Sequence, residues 1–265
     1  MATILLIYCA LGAFVGVLAG LLGVGGGLVI VPILVIAFNL QQVSSEIIMH
    51  LALGTSLASI VFTSVSSFMA HHKRGAVDWS TVRRIVIGIL TGTFIGSCFA
   101  SLLSTNILKV FFVIFLYFVA VQFLTNKKPK ATRELPGRFG MFISGNVIGF
   151  ISSLVGIGGG AVSVPYMIWC NVAVHRAIGT SAAIGLPIAI SGTIGYLFTG
   201  WGSTLVPAYS IGYIYLPALV GIAAISVLTA PIGVKLAHSL PVGKLKKIFA
   251  LLLIVVGTKM LLGVF

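Results

Sequence analysis

Long apolar runs separated by short polar stretches fill almost the whole chain. A helix needs about 20 apolar residues to cross a hydrocarbon core of ~30 Å, and most of these runs come close to that length. We therefore interpret them as membrane-spanning helices. The long runs cover residues 3–22, 47–70, 85–103, 108–124, 139–155, 177–198, 211–234 and 245–264.

Two further apolar runs, at residues 28–38 and 162–172, are too short to cross a membrane comfortably. Each is either a thin or tilted span or a re-entrant segment. Under either interpretation the chain returns to the side of the membrane that it left. With these two included, the pattern predicts an all-α polytopic membrane protein with about 8–10 transmembrane elements.

The composition supports the same class. Hydrophobic residues make up 59% of the chain and charged residues only 7%, whereas a soluble domain carries roughly 25% charged residues. The net charge of +13 would suggest a nucleic-acid partner in a soluble protein. Here the cations concentrate in loops at residues 71–84, 125–138 and 235–247. By the positive-inside rule these loops are cytoplasmic and both termini lie outside a bacterial-type plasma membrane, so the charge indicates topology.

A glycine-rich motif precedes each of the two short runs. Gly-Val-Gly-Gly-Gly-Leu-Val-Ile-Val-Pro at 23–32 returns as Gly-Ile-Gly-Gly-Gly-Ala-Val-Ser-Val-Pro at 156–165. Glycine loses much conformational freedom on ordering and proline lacks an N–H, so each motif predicts a break in a helix. At membrane depth the freed backbone groups must be covered by protein or face a water-filled cavity. Transporters build binding sites at such breaks.

A second motif also recurs, and the two motifs together define a repeat. His-Leu-Ala-Leu-Gly-Thr-Ser at 50–56 returns as His-Arg-Ala-Ile-Gly-Thr-Ser at 175–181. Five apolar elements separate the starts of the two halves, and an odd number reverses the direction in which the second half enters the membrane. The sequence therefore predicts two inverted-topology repeats of five elements. We expect an N-terminal repeat at 1–125, a basic cytoplasmic linker at 126–137 and a C-terminal repeat at 138–265.

The scarcity of acidic residues favours an anion as the solute. The chain has three carboxylates, all at loops or span ends, whereas cation-coupled carriers commonly keep acidic residues inside their spans. A helix break instead offers backbone N–H groups and the positive end of a helix dipole to an anion. We predict a substrate site near the middle of the membrane, where the two breaks meet. The candidate substrate-binding residues are Gly25, Gly26, Gly27, Thr55, Ser56, Gly158, Gly159, Gly160, Thr180 and Ser181.

The same residues also have a purely structural interpretation. Glycines allow close helix packing, and Gly88, Gly92 and Gly96, spaced by four, are typical of a packing face. Serine and threonine hydroxyls can bond a carbonyl in the preceding turn of their own helix. The duplicated breaks favour binding for the motif glycines, while both interpretations stay open for the hydroxyls.

Two histidines recur in the repeat. Histidine is the side chain whose charge ordinarily changes near physiological pH, so His50 and His175 could carry a proton or form a gate. The predicted topology places them near opposite membrane surfaces, where a histidine can equally cap a helix end. Arg176 could attract an anion at the cytoplasmic mouth or simply anchor its helix there. The spans contain no paired acids and no His/Cys metal set, so we expect neither an enzyme nor a cofactor or metal site.

The paired Gly-x-Gly-Gly-Gly-x-x-x-x-Pro motifs, each followed by Gly-Thr-Ser, resemble the TauE/SafE family of sulfite exporters, part of a larger group of sulfonate permeases. The likeness covers essentially the whole chain. It implies a secondary transporter that exports sulfite or an organosulfonate such as sulfoacetate. An anion channel, or a permease that imports another small organic anion, is the alternative. The expected partners are the anion, the lipid bilayer and, in a coupled carrier, protons, with no nucleic acid.

Overall fold

The chain folds as a bundle of helices. The computed structural model describes residues 2–22, 26–125, 133–239 and 242–262. Six helices in this part are long and apolar enough to cross a membrane, which confirms an all-α polytopic membrane protein. The elements are α1 (Ala2–Leu22), α2 (Gly27–Leu40), α3 (Ile48–His72), α4 (Trp79–Ala100), α5 (Thr105–Thr125), α6 (Arg138–Val155), α7 (Gly160–Trp169), α8 (Val174–Thr199), β1 (Ser210–Ile211), β2 (Ile214–Tyr215), α9 (Leu216–Ser239) and α10 (Val242–Leu261).

The two short runs form short helices that begin at the glycine-rich motifs. α2 has 14 residues and α7 has 10, so at a rise of 1.5 Å per residue they extend about 21 Å and about 15 Å, less than a hydrocarbon core of ~30 Å. Each runs back beside the preceding helix. The Gln41 amide after α2 donates to the Tyr8 hydroxyl of α1 over 2.9 Å, and the Tyr166 and Ser144 hydroxyls of α7 and α6 lie 2.8 Å apart.

Glycine ladders join α1 to α9 and α4 to α6. A Cβ added to Gly88, Gly92 or Gly96 would overlap α6, so the close packing predicted for this face is present. In α1 the glycines at 12, 16 and 20 lie in the same way against α9. In both pairs the contacts advance together along the two helices, so the paired helices run parallel.

The centre of the bundle is formed by α3 and α8, which run antiparallel. Gly192 lies against Leu57, whereas Gly185, earlier in α8, lies against Ser64, later in α3. α5 and α10 are also antiparallel, since Tyr117 contacts Thr258 while Phe123 contacts Phe249.

The relative directions of the packed helices agree with an inverted repeat. In a five-plus-five repeat, α3 and α8 are equivalent elements, as are α5 and α10, and the members of each pair run in opposite directions. In the same scheme α1 is equivalent to α6 and α4 to α9. The close packing of α1 against α9 is therefore equivalent to that of α4 against α6. The inverted repeat stays a prediction, which these contacts support. Residues 126–132 of the expected linker lie outside the described residues.

The two ends of the bundle differ in charge. The basic end is where α3 ends and α4 begins, because the loop between them carries Lys73 and Arg74. The opposite end is where α4 ends and α5 begins. The loop-charge argument predicts that the basic end faces the cytoplasm.

Candidate functional site

The two glycine-rich breaks contact each other inside the bundle. Gly27, the first residue of α2, packs so closely on the second motif that a Cβ there would overlap the Gly156 carbonyl and lie 2.8 Å from the Ile157 Cα. Gly158, Gly159 and Gly160 follow directly and are buried, as are Gly26 and Gly27. Gly25 lies outside the described residues. The structure thus brings together the described parts of the two predicted breaks.

The duplicated glycines have nearly the same backbone geometry. Gly26 and Gly159 are the N-caps of α2 and α7, with φ/ψ of 77°/−8° and 78°/−10°. This left-handed conformation favours glycine. The first helical hydrogen bonds at α2 run from the N–H groups of Val29 and Ile30 to the Gly26 carbonyl. By helix geometry the N–H groups before them have no acceptor within the helix, so each break presents backbone donors at the positive end of a helix.

The first Gly-Thr-Ser motif connects α3 to two other elements. Gly54 allows the Tyr213 carbonyl to approach the α3 backbone closely. The Thr55 hydroxyl accepts the Tyr215 N–H over 2.9 Å, immediately before α9 begins. The Ser56 hydroxyl donates to the Gly156 carbonyl over 2.7 Å. This motif therefore anchors both the start of α9 and the second break.

The second copy does the same for α4. Gly179 allows a close approach of the Ala76 carbonyl, and the Thr180 hydroxyl accepts the Asp78 N–H over 2.9 Å, immediately before α4 begins. The Ser163 hydroxyl of α7 donates to the Ser181 hydroxyl over 2.8 Å. All four hydroxyls of the two motifs are fully buried and engaged with other elements. Their observed contacts are structural ones between elements, a role that neither sequence interpretation included.

A small closed cavity lies beside Gly158, between α1, α3 and α8. Its volume is about 10 Å³, which is room for roughly one water molecule. The Ser67 hydroxyl is buried here and has no hydrogen-bond partner among the residues that the structure describes. The described lining residues are Ala19, Thr63, Ser64, Ser67, Gly158, Ala182 and Gly185.

Sequence analysis missed the hydroxyls of α3 that line this cavity. Thr63 and Ser67 are spaced by four and therefore share one helix face, and Ser64 also lines the cavity. The Thr63 hydroxyl lies 2.7 Å from the Ser226 hydroxyl of α9, and it also bonds the Ser59 carbonyl over 3.1 Å. The spacing was a usable signal, but only the packing of α3 against the second break shows that this face lines a cavity.

The duplicated histidines occupy different environments, and neither lines the cavity. His50 is buried, and its Nε2 lies 3.1 Å from the carbonyls of Ala100 and Leu103, where α4 ends. This is the helix-end contact of the structural interpretation. His175 and Arg176 are exposed at the start of α8, at the basic end.

Arg176 has an electrostatic contact with the start of α4. Asp78 caps this helix, since its carboxylate accepts hydrogen bonds from the backbone of Ser80 and from Thr81. Burial raises the pKa of the Asp78 carboxyl, but these hydrogen bonds and the charge of Arg176 outweigh that effect and hold the pKa below its ordinary value. Arg176 therefore helps to keep a negative charge at the N-terminus of α4, where the helix dipole favours it.

A third histidine, which sequence analysis did not single out, lies close to the cavity. His71 follows Ser67 by one helical turn and is 1% exposed. Its Nε2 lies 3.2 Å from the Gly20 carbonyl, next to the lining residue Ala19. Nearby, the Arg74 guanidinium donates to the Val234 carbonyl over 2.8 Å. These contacts close the cavity toward the basic end. Among the described residues no cluster of three His, Cys, Asp or Glu could hold a metal.

Comparison with known proteins identifies the family. The family model described as "Sulfite exporter TauE/SafE" matches residues 8–260. A "probable membrane transporter protein" of Haemophilus influenzae is 42% identical, over 99% of this chain and 100% of its own length. Proteins of the same description from Methanocaldococcus jannaschii and Bacillus subtilis are each 29% identical, over 95% and 73% of this chain and 93% and 78% of their own lengths. No solved structure matches. The chain is a multi-pass membrane transporter that belongs to the sulfite exporter TauE/SafE family.

Proposed function

We propose that this transporter moves a small sulfur-containing anion, sulfite or an organosulfonate such as sulfoacetate, out of the cell across the plasma membrane. The observation that carries the proposal is the buried cavity beside Gly158, where hydroxyl groups of α3 face a glycine-rich break. The described lining residues include no carboxylate to repel an anion and no cation to retain it. Neutral hydroxyl and N–H donors suit a solute that must bind and then leave.

Transport requires a rearrangement, because the cavity is too small for sulfite as it stands. Toward the basic end it is closed by His71 on Gly20 and by Arg74 on Val234. On the other side of the cavity, Ser56 holds the second break through the Gly156 carbonyl. We propose alternating access, in which one set of contacts opens while the other stays closed. His71 is then the proposed cytoplasmic gate.

Flux measurements on purified protein in liposomes test this function. Liposomes loaded with sulfite should take up labelled sulfite faster than empty ones, and uptake should saturate with concentration. The substrate class is defined by which other anions drive this counterflow when they are loaded into the liposomes: sulfoacetate, taurine, thiosulfate or sulfate. Single-channel currents without counterflow would instead establish the anion channel. Lower internal sulfite in cells expressing the protein supports export, whereas higher internal levels of another organic anion would establish the importing permease.

Ser67→Ala tests the cavity as the binding site. The Ser67 hydroxyl has no hydrogen-bond partner within the described part of the chain, so its removal should leave thermal stability unchanged. If the hydroxyl donates to the bound anion, KM for sulfite should rise about three- to tenfold, as expected for one hydrogen bond. The matched control is Ser59→Ala, because the Ser59 hydroxyl bonds the Thr55 carbonyl of its own helix. An unchanged KM in Ser67→Ala would place the substrate elsewhere.

A further inference from the structure

A second polar pocket lies at the opposite end of the bundle, away from the cavity. It has a volume of about 220 Å³, far more than the space of about 10 Å³ in the closed cavity. The ends of α2 and α10 and the starts of α3 and α5 surround it. Its polar lining residues are Asn39, Ser45, Thr105, Asn106 and Lys109.

The charge in this pocket comes from Lys109. The side chain is half-buried, and it forms no ion pair with the described residues. The carboxylate side chain at this end, Glu46, is exposed and does not line the pocket; its backbone carbonyl accepts the Thr105 hydroxyl over 2.6 Å. Removing a cation from water without a counter-charge is costly, so an anion in the pocket would be stabilised.

The position of Lys109 in its helix adds to this preference. It lies one turn into α5, and the first turn of α5 contains no acidic residue. A cation near a helix N-terminus is disfavoured by the helix dipole, whereas an anion there is favoured. The helix start, together with an ammonium that has no counter-charge among the described residues, therefore favours a negative ligand between them.

Neutral donors around Lys109 suit the oxygens of such a ligand. The Asn39 amide uses one N–H for the Val35 carbonyl over 2.9 Å, which leaves its second N–H. The Asn106 amide is exposed at the start of α5 and has no hydrogen-bond partner within the described residues. Two amides and an ammonium around one space can hold several oxygens of a single group.

We propose that this pocket is a second anion site, in which Lys109, Asn39 and Asn106 bind a small oxyanion outside the closed cavity. Two sources have this chemistry: a free anion such as sulfite or sulfate, and the phosphate of a lipid headgroup. The loop-charge argument places the pocket on the outer face, since it lies opposite the basic loops. The site concerns binding rather than flux, so it does not rest on the proposed substrate.

The experiment is an equilibrium titration of the purified full chain with sulfate in a neutral detergent. The variants carry Gly185→Ala, so that the cavity is filled and binding reports the second pocket. Lys109→Gln should weaken sulfate binding about tenfold, the scale of a hydrogen bond to a charged group. Lys109→Arg should restore it. The control is Lys259→Gln, which removes an exposed lysine near the C-terminal end of α10, at the same end of the bundle as the pocket. This variant should bind sulfate as the parent does.

A second arm identifies a lipid source. Native mass spectrometry of protein exchanged into phosphatidylglycerol and phosphatidylcholine counts retained anionic lipids, and the Lys109→Gln protein should retain fewer. A change in sulfate affinity alone supports a free anion, and a change in retained lipid alone supports a headgroup phosphate. Equal sulfate affinity and equal lipid retention in Lys109→Gln and its parent would overturn the proposal, as would a parent that binds neither.

Discussion

Replacing Gly185 with alanine is expected to reduce sulfite counterflow at least about tenfold, equivalent to ~1.4 kcal/mol, without unfolding the protein. The added Cβ would lie 3.1 Å from both the Gly158 carbonyl and the Ser64 hydroxyl, inside the space left for solute. Gly185 is an interior residue of α8, where alanine is favoured over glycine by about 1 kcal/mol. The methyl group therefore enters the cavity with an ordinary helical backbone at residue 185, and the Gly158 carbonyl and Ser64 hydroxyl shift by a few tenths of an ångström to admit it.

The control for this substitution is Gly257→Ala in α10. A Cβ there would meet Tyr117 at 3.5 Å, an ordinary contact far from the cavity. Both variants should elute and melt as folded protein, and only Gly185→Ala should lose transport. Wild-type flux in folded Gly185→Ala protein would contradict the site. Substitution of Gly26 or Gly159 is less informative, because their positive φ makes any side chain strain the fold.

The helix breaks were predictable because their cause is local. Three consecutive glycines, followed by a proline five residues after the third of them, disfavour a continuous helix. Gly26 and Gly159 accordingly begin short helices with the same left-handed geometry. The all-α membrane class was predictable for a similar reason, since length and hydropathy alone decide which segments can span.

The roles of the motif hydroxyls could not be predicted, because they depend on partners distant in the chain. Thr55 bonds a residue 160 positions away, and Thr180 one 102 positions away. The duplication indicated that the two threonines do the same thing, and they do, but it did not show which element each one contacts. The duplicated histidines, in contrast, have different environments, since His50 is buried at a helix end while His175 is exposed.

The cavity lining illustrates a further limit of reasoning from the repeat. The hydroxyls that face Gly158 come from α3, at positions where the equivalent helix α8 carries Ile188, Ala189 and Gly192. A search restricted to duplicated residues therefore overlooks Ser67. The asymmetry itself is informative, because in the proposed site all the lining hydroxyls come from the first half, so the two halves would have different parts in the proposed rearrangement.

Replacing Thr55 with valine is expected to destabilise the protein by about 1–2 kcal/mol, with a smaller loss for Thr180→Val. Valine keeps the shape of threonine but removes the acceptor, so the Tyr215 N–H is left buried without a partner. The donor to Thr180 is the N–H of Asp78, which is only partly buried, so water can replace the bond there. Interhelical hydrogen bonds in membrane proteins are worth up to about 1.7 kcal/mol, which bounds the effect.

Unfolding in mixed micelles measures these losses, with Thr193→Val as the matched control. The Thr193 hydroxyl donates to the Ala189 carbonyl of its own helix over 2.6 Å, so its loss should cost less than the loss at Thr55. Thr55→Ser retains the acceptor and should lie close to wild type. Because the Tyr215 N–H fixes the start of α9, Thr55→Val should also increase hydrogen exchange there. Equal stability of Thr55→Val and Thr193→Val would show that the duplicated threonine does not anchor α9, and would return its hydroxyl to the candidates for binding the anion.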